Sequence, residues 1–430
     1  MSRPSSARGL GLGAQRALQL ILLTVAGTLA LAAGARGQGR EPFNLEVGDP
    51  ARKAKTIALA VDQIYDTNKG VDVSPDEAVA ALADASIVLV GESHTSIESH
   101  RVQAAVIAAL QRAGRKVTIG LEMFPAEAPT APFDRWLRGG IDEAALLRES
   151  GWYDYWGYPW GYYRDVFLLA KQHRLPIRGV NAPRAVVSMV GRRGLAGIGG
   201  MERGQIAPTI DTTNEEHKQM FLAYVGGASD TPASTTGSGT ATHGAGMPPE
   251  MLQRMLEAQC TWDATMAYNA AELIKGNADP KAVVVVLVGS GHVAYGLGIA
   301  RQAKAYTDKR VATVLPVPTT PGKPEQIRAS VADIVWGVPT ETYPLFPTLG
   351  VSFRSSGDLP NTVLMVSPGS TAEVMGLKAG DVLMTIDDQP IRKDVEVRTL
   401  LDRKQWGDAV KATVKRGTET LTLTGRLQRR

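Results

Sequence analysis

Ala282-Val283-Val284-Val285-Val286-Leu287-Val288, followed at once by Gly289-Ser290-Gly291-His292, is the stretch on which the fold turns. The run is Val-rich, and no polar residue alternates with the apolar ones. A strand of that kind must be covered on both faces, which is the pattern of a parallel sheet buried between helices. Working outward, shorter apolar runs occupy 86–90, 116–121, 176–180 and 311–315. Helical patterns lie between them, for example over 102–113 and 163–173. Strands alternating with helices predict an α/β domain over 56–315, built on a mainly parallel sheet with a smaller helical part.

The chain has 430 residues, too many for one ordinary core, so two or three domains are expected. With 44% hydrophobic and 21% charged residues it is neither wholly disordered nor a polytopic membrane protein. One cysteine, Cys260, excludes a disulfide scaffold and a four-cysteine zinc site. Mid-helix, it reads as a buried small apolar residue. Residues 1–16 carry Arg3, Arg8 and Arg16 and no acid; 17–34 are almost entirely apolar; Ala33-Gly34-Ala35 offers a cleavage site. That is the plan of a signal peptide over 1–35, and it implies export, with the periplasm as destination. No cysteine adjoins the cleavage site, so the lipobox of a diacyl anchor is missing. Its removal takes three arginines and leaves 44 basic against 43 acidic residues, so no electrostatic case for nucleic acid survives. Residues 36–55 read as a polar leader. The Gly/Ser/Thr tract 226–248, which holds His243, reads as a flexible loop. The Pro-rich stretch 316–343 reads as a linker to a second domain over 344–430.

Each predicted strand of the first domain ends in polar residues. They are Gly91-Glu92-Ser93-His94, Glu122-Met123, Asn181-Ala182-Pro183-Arg184 and Gly289-Ser290-Gly291-His292. In an open parallel sheet these ends share one edge, where ligands bind. A long helix over 250–275 carries Gln259 and Asp263 on its apolar stripe, one turn apart. A buried carboxylate there must meet a partner, either a core group or a donor at the strand-end rim. On the helix after the first motif, His100 and Gln103 share a face. Glu92, His94 and His292 together make an O,N,N set that suits a divalent metal, acid–base chemistry or plain hydrogen bonding.

These residues, in this order and with Gly120-Leu121, Gly151-Trp152 and Ala264-Thr265-Met266-Ala267 between them, resemble the ChaN-like haem-binding uptake family of the wider Tiki/erythromycin-esterase-type superfamily. The resemblance covers about 60–315. It implies haem as cofactor, bound at a homodimer interface, and a role in iron or haem acquisition. It also implies a pocket of Glu92, His94, His100, Glu122, Asn181, Arg184, Gln259, Asp263, Ser290 and His292. Haem needs an axial ligand and an apolar slot. Residues 152–163 hold eight of the chain's eighteen Trp and Tyr. Within them Tyr163 is the expected iron ligand, His243 a competing one, and Arg184 the expected partner of a propionate.

In the second block Leu349-Gly350-Val351, Ser367-Pro368-Gly369-Ser370 and Gly376-Leu377-Lys378-Ala379-Gly380-Asp381 resemble a bacterial PDZ domain. The resemblance implies that the amides of Leu349, Gly350 and Val351 take a protein C-terminus. The peptide would lie as an added strand beside a helix near 397–401. The leading expectation is an exported haem-binding protein with a PDZ module, requiring no chemistry on a substrate. The alternative is a metal-dependent hydrolase using Glu92, His94 and His292 on PDZ-selected peptides. A third is a catalytically silent interaction protein.

Overall fold

The computed structural model describes residues 42–227, 248–341, 344–353 and 361–429. The expected signal peptide, and most of the 226–248 tract with His243, lie outside the described residues.

Ten strands precede the PDZ region: β1 (Thr56–Leu59), β2 (Ile64–Asp66), β3 (Val71–Asp72), β4 (Ile87–Glu92), β5 (Lys116–Pro125), β6 (Ile177–Asn181), β7 (Ala282–Gly289), β8 (Val311–Thr319), β9 (Glu325–Arg328) and β10 (Ile334–Pro339). Eight form one sheet in the order β3-β2-β10-β8-β4-β7-β5-β6, while β1 pairs with β9 apart from it. The six from β10 to β6 run parallel; β2 and β3 are antiparallel additions at one edge. Every residue of β4 and β7 is buried. Val283, Val285 and Leu287 pack into the core on one face, and Val284, Val286 and Val288 into the core on the other. The run without polar alternation is therefore covered on both sides, as its composition demands.

The Ile97–Arg112 helix closes the first face through Val102, Val106, Ile107 and Leu110. Its start is set by Ser96, whose hydroxyl accepts from the Ser99 amide at 3.2 Å. The 27-residue Pro249–Lys275 helix closes the other face through Met266, Ala267 and Ala270.

Two expected boundaries are corrected. The stretch 316–343 is not a linker, because β8 runs on to Thr319 and β10 inserts between β8 and β2. Its prolines misled because proline removes a ladder donor. Pairing of β8 with β4 ends at Val314, so Pro316 and Pro318 fall where β8 is partnered by β10 alone. Residues 36–55 are not merely a polar leader either. Leu45 and Val47 are buried in the second core, and the Leu45 amide donates to the Tyr295 hydroxyl at 2.8 Å.

The C-terminal region holds a hairpin, β11 (Val351–Phe353) with β12 (Val363–Val366), and a four-stranded sheet. That sheet is β13 (Val382–Ile386), β14 (Gln389–Pro390), β15 (Ala409–Arg416) and β16 (Glu419–Arg426), in the order β14-β13-β15-β16. Helices Thr371–Met375 and Asp394–Leu401 pack on its own core of Leu349, Val363, Leu383, Ile386, Val397, Leu401, Val410 and Val414. Arg416 pins buried Asp381 with two bonds of 2.7 and 2.8 Å.

Gly337 shows how tightly β10 is held. A Cβ there would stand 1.8 Å from the Ala60 carbonyl oxygen, a backbone atom with nowhere to go. Gly337→Ala should cost at least roughly 2 kcal/mol through forced displacement of the two segments. Urea unfolding followed by circular dichroism should show a lower midpoint; a wild-type midpoint would mean that β10 is not clamped against residue 60.

Candidate functional site: two buried imidazole–carboxylate pairs

Parallel strands point their carboxyl ends one way, so β4, β5, β6 and β7 deliver Glu92, Glu122, Asn181 and Gly289 to one edge. Glu92 is the most connected. It accepts from the Tyr163 hydroxyl and the Gln103 amide, each at 2.6 Å, and pairs with His94 Nδ1 at 2.7 Å. His100 lies behind Gln103, its Nδ1 at 3.0 Å from Gln103 Oε1 and at 3.5 Å from Glu92. Burial alone would push the Glu92 carboxyl up; the His100 charge and the His94 hydrogen bond outweigh it and bring it down to about 2. Burial likewise opposes the charge on His94, but Glu92 and Glu122 raise it overall.

The second pair faces the first. His292 Nδ1 meets Asp263 Oδ1 at 2.5 Å, and Nε2 stands 3.4 Å from Glu122 Oε1. With a carboxylate at each ring nitrogen His292 is held as imidazolium. Burial works against the charge, but Asp263 and then Glu122 lift it to about 10. The Gln259 amide also touches Nδ1 at 2.9 Å, a contact that suits its oxygen better than its nitrogen beside a protonated ring. Glu122 is tied to the sheet by the Gly289 amide at 2.7 Å. Between the pairs sits Gly289. A Cβ there would come within 3.1 Å of His94 Cε1 and 3.7 Å of Glu122 Oε2, so a side chain at 289 would press the His94 ring out of place by a few tenths of an ångström.

Of the expected pocket residues, Glu92, His94, His100, Glu122, Gln259, Asp263 and His292 are brought together in this network. Asn181 supports it from outside, donating to the Glu122 carbonyl at 2.8 Å. Ser290 does the same for the Glu92 carbonyl at 3.1 Å. Arg184 is not part of the network: it starts the Arg184–Arg193 helix as an exposed residue near Arg398 and Asp394 of the PDZ region. Tyr163, expected as iron ligand, is fully buried, with its hydroxyl committed to Glu92 and its ring 4.2 Å from that of His100. The aromatic segment around it is chiefly core, since Trp152, Tyr153, Trp160 and Tyr162 are also buried.

The metal expectation for Glu92, His94 and His292 does not match this geometry. Among the described residues no three His, Cys, Asp or Glu side chains are arranged to hold a metal ion. The carboxylates spend their oxygens on imidazoles, amides and a phenol. What the arrangement supplies is two fixed, oriented imidazoles in a dry setting.

Sequence reading missed a neighbouring group on the Glu215–Gly227 helix. His217 Nε2 stands 3.3 Å from Asp263 Oδ2, and Cys260 Sγ lies 3.6 Å from His217 Nδ1. Burial pushes the Cys260 thiol well up, so it is no thiolate. Two turns on, the Tyr224 hydroxyl is buried with no hydrogen-bond partner among the described residues. It lines a narrow cleft with Met220, Phe221, Val225, Gln259 and Gly291. The spacing of His217 and Tyr224, i to i+7 on a helix, was the available signal for a shared face.

The linkage with pH has a definite sign. A carboxyl depressed in the folded state stabilises above its unfolded value near 4.5 and loses that contribution as pH falls toward 2. Glu92→Gln should therefore lower stability at pH 7 by roughly 3–5 kcal/mol, the cost of stripping one partner from a buried pair. It should also flatten the acid limb of stability against pH, read by urea melts from pH 6 downward. An unchanged acid limb would contradict the placement of the charge on Glu92.

None of the curated proteins compared matches the chain. Among solved structures, the ChaN protein of Campylobacter jejuni, described by its cofacial haem binding, is 18% identical, with a TM-score of 0.46 over 64% of this chain and 95% of that one. The HtrA-type protease AlgW with a decapeptide is 24% identical, with a TM-score of 0.19 over 20% of this chain and 30% of that one. The PDZ domain of HtrA3 with a phage-derived ligand is 15% identical, with a TM-score of 0.18 over 20% and 88%. The family profile described as haem-binding uptake, Tiki superfamily, ChaN matches residues 78–302, and the PDZ profile matches residues 347–427. The first match alone spans more than half of the 430 residues. The chain thus belongs to the ChaN-like haem-binding family of the Tiki superfamily, joined to a C-terminal PDZ domain.

Proposed function

We propose that this protein is exported, binds haem in the course of iron or haem handling, and uses its PDZ domain to take protein C-termini. The observation that carries the haem reading is the buried Tyr224 hydroxyl, without a hydrogen-bond partner among the described residues, beside the apolar side chains of Met220, Phe221 and Val225. A buried phenol without a hydrogen-bond partner costs about 1–3 kcal/mol, and a ligand to it recovers that cost. Tyr224 would hold the iron of a ferric haem, which would supply a Lewis acid, while Met220, Phe221 and Val225 would line its apolar face. Tyr224 is therefore the iron ligand in this reading and Tyr163 is not, because the Tyr163 hydroxyl already serves Glu92. Burial raises the Tyr224 phenol well above its ordinary range and keeps it protonated in the free protein. Leu222, exposed on the same helix, supports a homodimer closing over this side.

For the PDZ domain, β11 has β12 as its one partner among the described residues, which leaves an edge for an added peptide strand; Val351 and Phe353 pack against the core that holds Val397 and Leu401 of the Asp394–Leu401 helix. Gly350 holds φ at +76°, and a Cβ on it would lie 2.3 Å from Ser370 Cβ. The loop that would receive a carboxylate is therefore built on glycine.

Haemin titration should give a Soret band, and Tyr224→Phe should weaken binding by at least about tenfold, equivalent to 1.4 kcal/mol. Tyr163→Phe should leave the band in place. Absence of any band removes the haem reading; loss with Tyr163→Phe alone returns the ligand to Tyr163. A panel of immobilised peptides should bind with free C-termini and not as C-terminal amides, and Gly350→Ala should abolish binding. Equal binding of acids and amides would overturn the PDZ assignment.

A further inference from the structure

The aromatic segment 152–163 is sandwiched, and both of its sides bear on the pocket. Inside, the Trp156 and Tyr158 rings stand 4.9 and 4.8 Å from the His94 ring and roof it. Outside, the PDZ helix Asp394–Leu401 presents Val395, Arg398 and Asp402, spaced i, i+3 and i+7 on one face that runs to its C-cap. Val395 packs against the core of the first domain. The Arg398 guanidinium lies on the roof turn, since a Cβ on Gly157 would meet its Nη1 at 3.1 Å. Asp402 accepts from the Tyr153 hydroxyl, which in turn accepts from the Trp160 amide at 3.1 Å. The chain entering the PDZ domain adds a second grip. Phe346 sits edge-on to Tyr162 at 4.8 Å, and the Leu345 amide donates to the Tyr162 hydroxyl at 2.9 Å.

We propose that the PDZ helix is a latch on the roof of the pocket: docked, it holds Trp156 and Tyr158 over His94, and released, it opens the imidazole to solvent. Val397 and Leu401 of the same helix face the PDZ core beside β11. A peptide added to β11 therefore presses on the latch from the groove side. The coupling is reciprocal, so whatever enters the pocket also changes the affinity of the groove. The latch goes beyond the haem reading and does not depend on it.

Two full-length variants release the latch without touching His94. In Gly161→Ala the new Cβ falls 2.0 Å from the Phe346 ring and pushes it off. In Tyr153→Phe the bond to Asp402 is lost. Hydrogen exchange at the Leu345 amide reports undocking, and mass spectrometry of diethylpyrocarbonate-treated haem-free protein reports the accessibility of each histidine. The expected result is that Leu345 exchange and His94 modification both rise at least about tenfold, the size of a local opening made easier by 1.4 kcal/mol, while buried His217 stays protected. Faster Leu345 exchange with His94 unchanged overturns the latch. So does a joint rise of His94 and His217, which is general loosening, and so does failure of both variants to free Leu345. Because no haem is present, these outcomes are independent of the Soret titration.

Discussion

The structure depends on one constraint: Glu92 and Asp263 are ionised carboxylates taken entirely out of water, and each must be neutralised in place. The fold meets it with His94 and His292, each fixed by a neighbouring strand end. The Tyr163 and Gln103 bonds to Glu92 and the Gln259 contact with His292 serve this end, because a buried ion pair repays its desolvation best when its remaining hydrogen-bonding capacity is met; Asp263 Oδ2 is the exception, with His217 Nε2 at 3.3 Å but no hydrogen-bond partner among the described residues. The aromatic cluster serves the same end, as Trp156 and Tyr158 keep water from His94.

Much of this was legible in the chain for physical reasons. A buried parallel strand has no polar alternation, and the 86–90, 116–121, 176–180, 282–288 and 311–315 runs correspond to β4 to β8. Strand ends share an edge in such a sheet, which is why four distant motifs were read as one rim. Elements that failed to announce themselves lie where the pattern is weak. β2 and β3 are three and two residues long, and β10 follows a proline-rich stretch that imitates a linker. Aromatic density marks slots and cores alike, and the burial of Tyr163 with its hydroxyl on Glu92 is a property of the fold that the sequence does not carry. Tyr224 and His217 were overlooked on a helix whose apolar spacing resembles any amphipathic helix and which runs directly into the Gly/Ser/Thr tract. Arg184 begins a helix at the correct strand end and still turns outward.

The two domains share more than a chain. The first holds its charge in two sealed pairs, and the second places Arg398 and Asp402 against the segment that seals one of them. Burial, reinforced by Glu143 and opposed by Arg403, lifts the Asp402 carboxyl to about 7, so the domain contact itself contains a group poised near neutrality.

The site turns on His292 being a buried imidazolium between Asp263 and Glu122. Long-range ¹⁵N–¹H NMR of the histidine side chains across pH 6–9 tests this directly. The His292 ring should keep both protons throughout that range, with its nitrogens at imidazolium shifts. A His292 ring that loses its proton near the ordinary value of 6.5 would contradict the paired-charge description and the site built upon it.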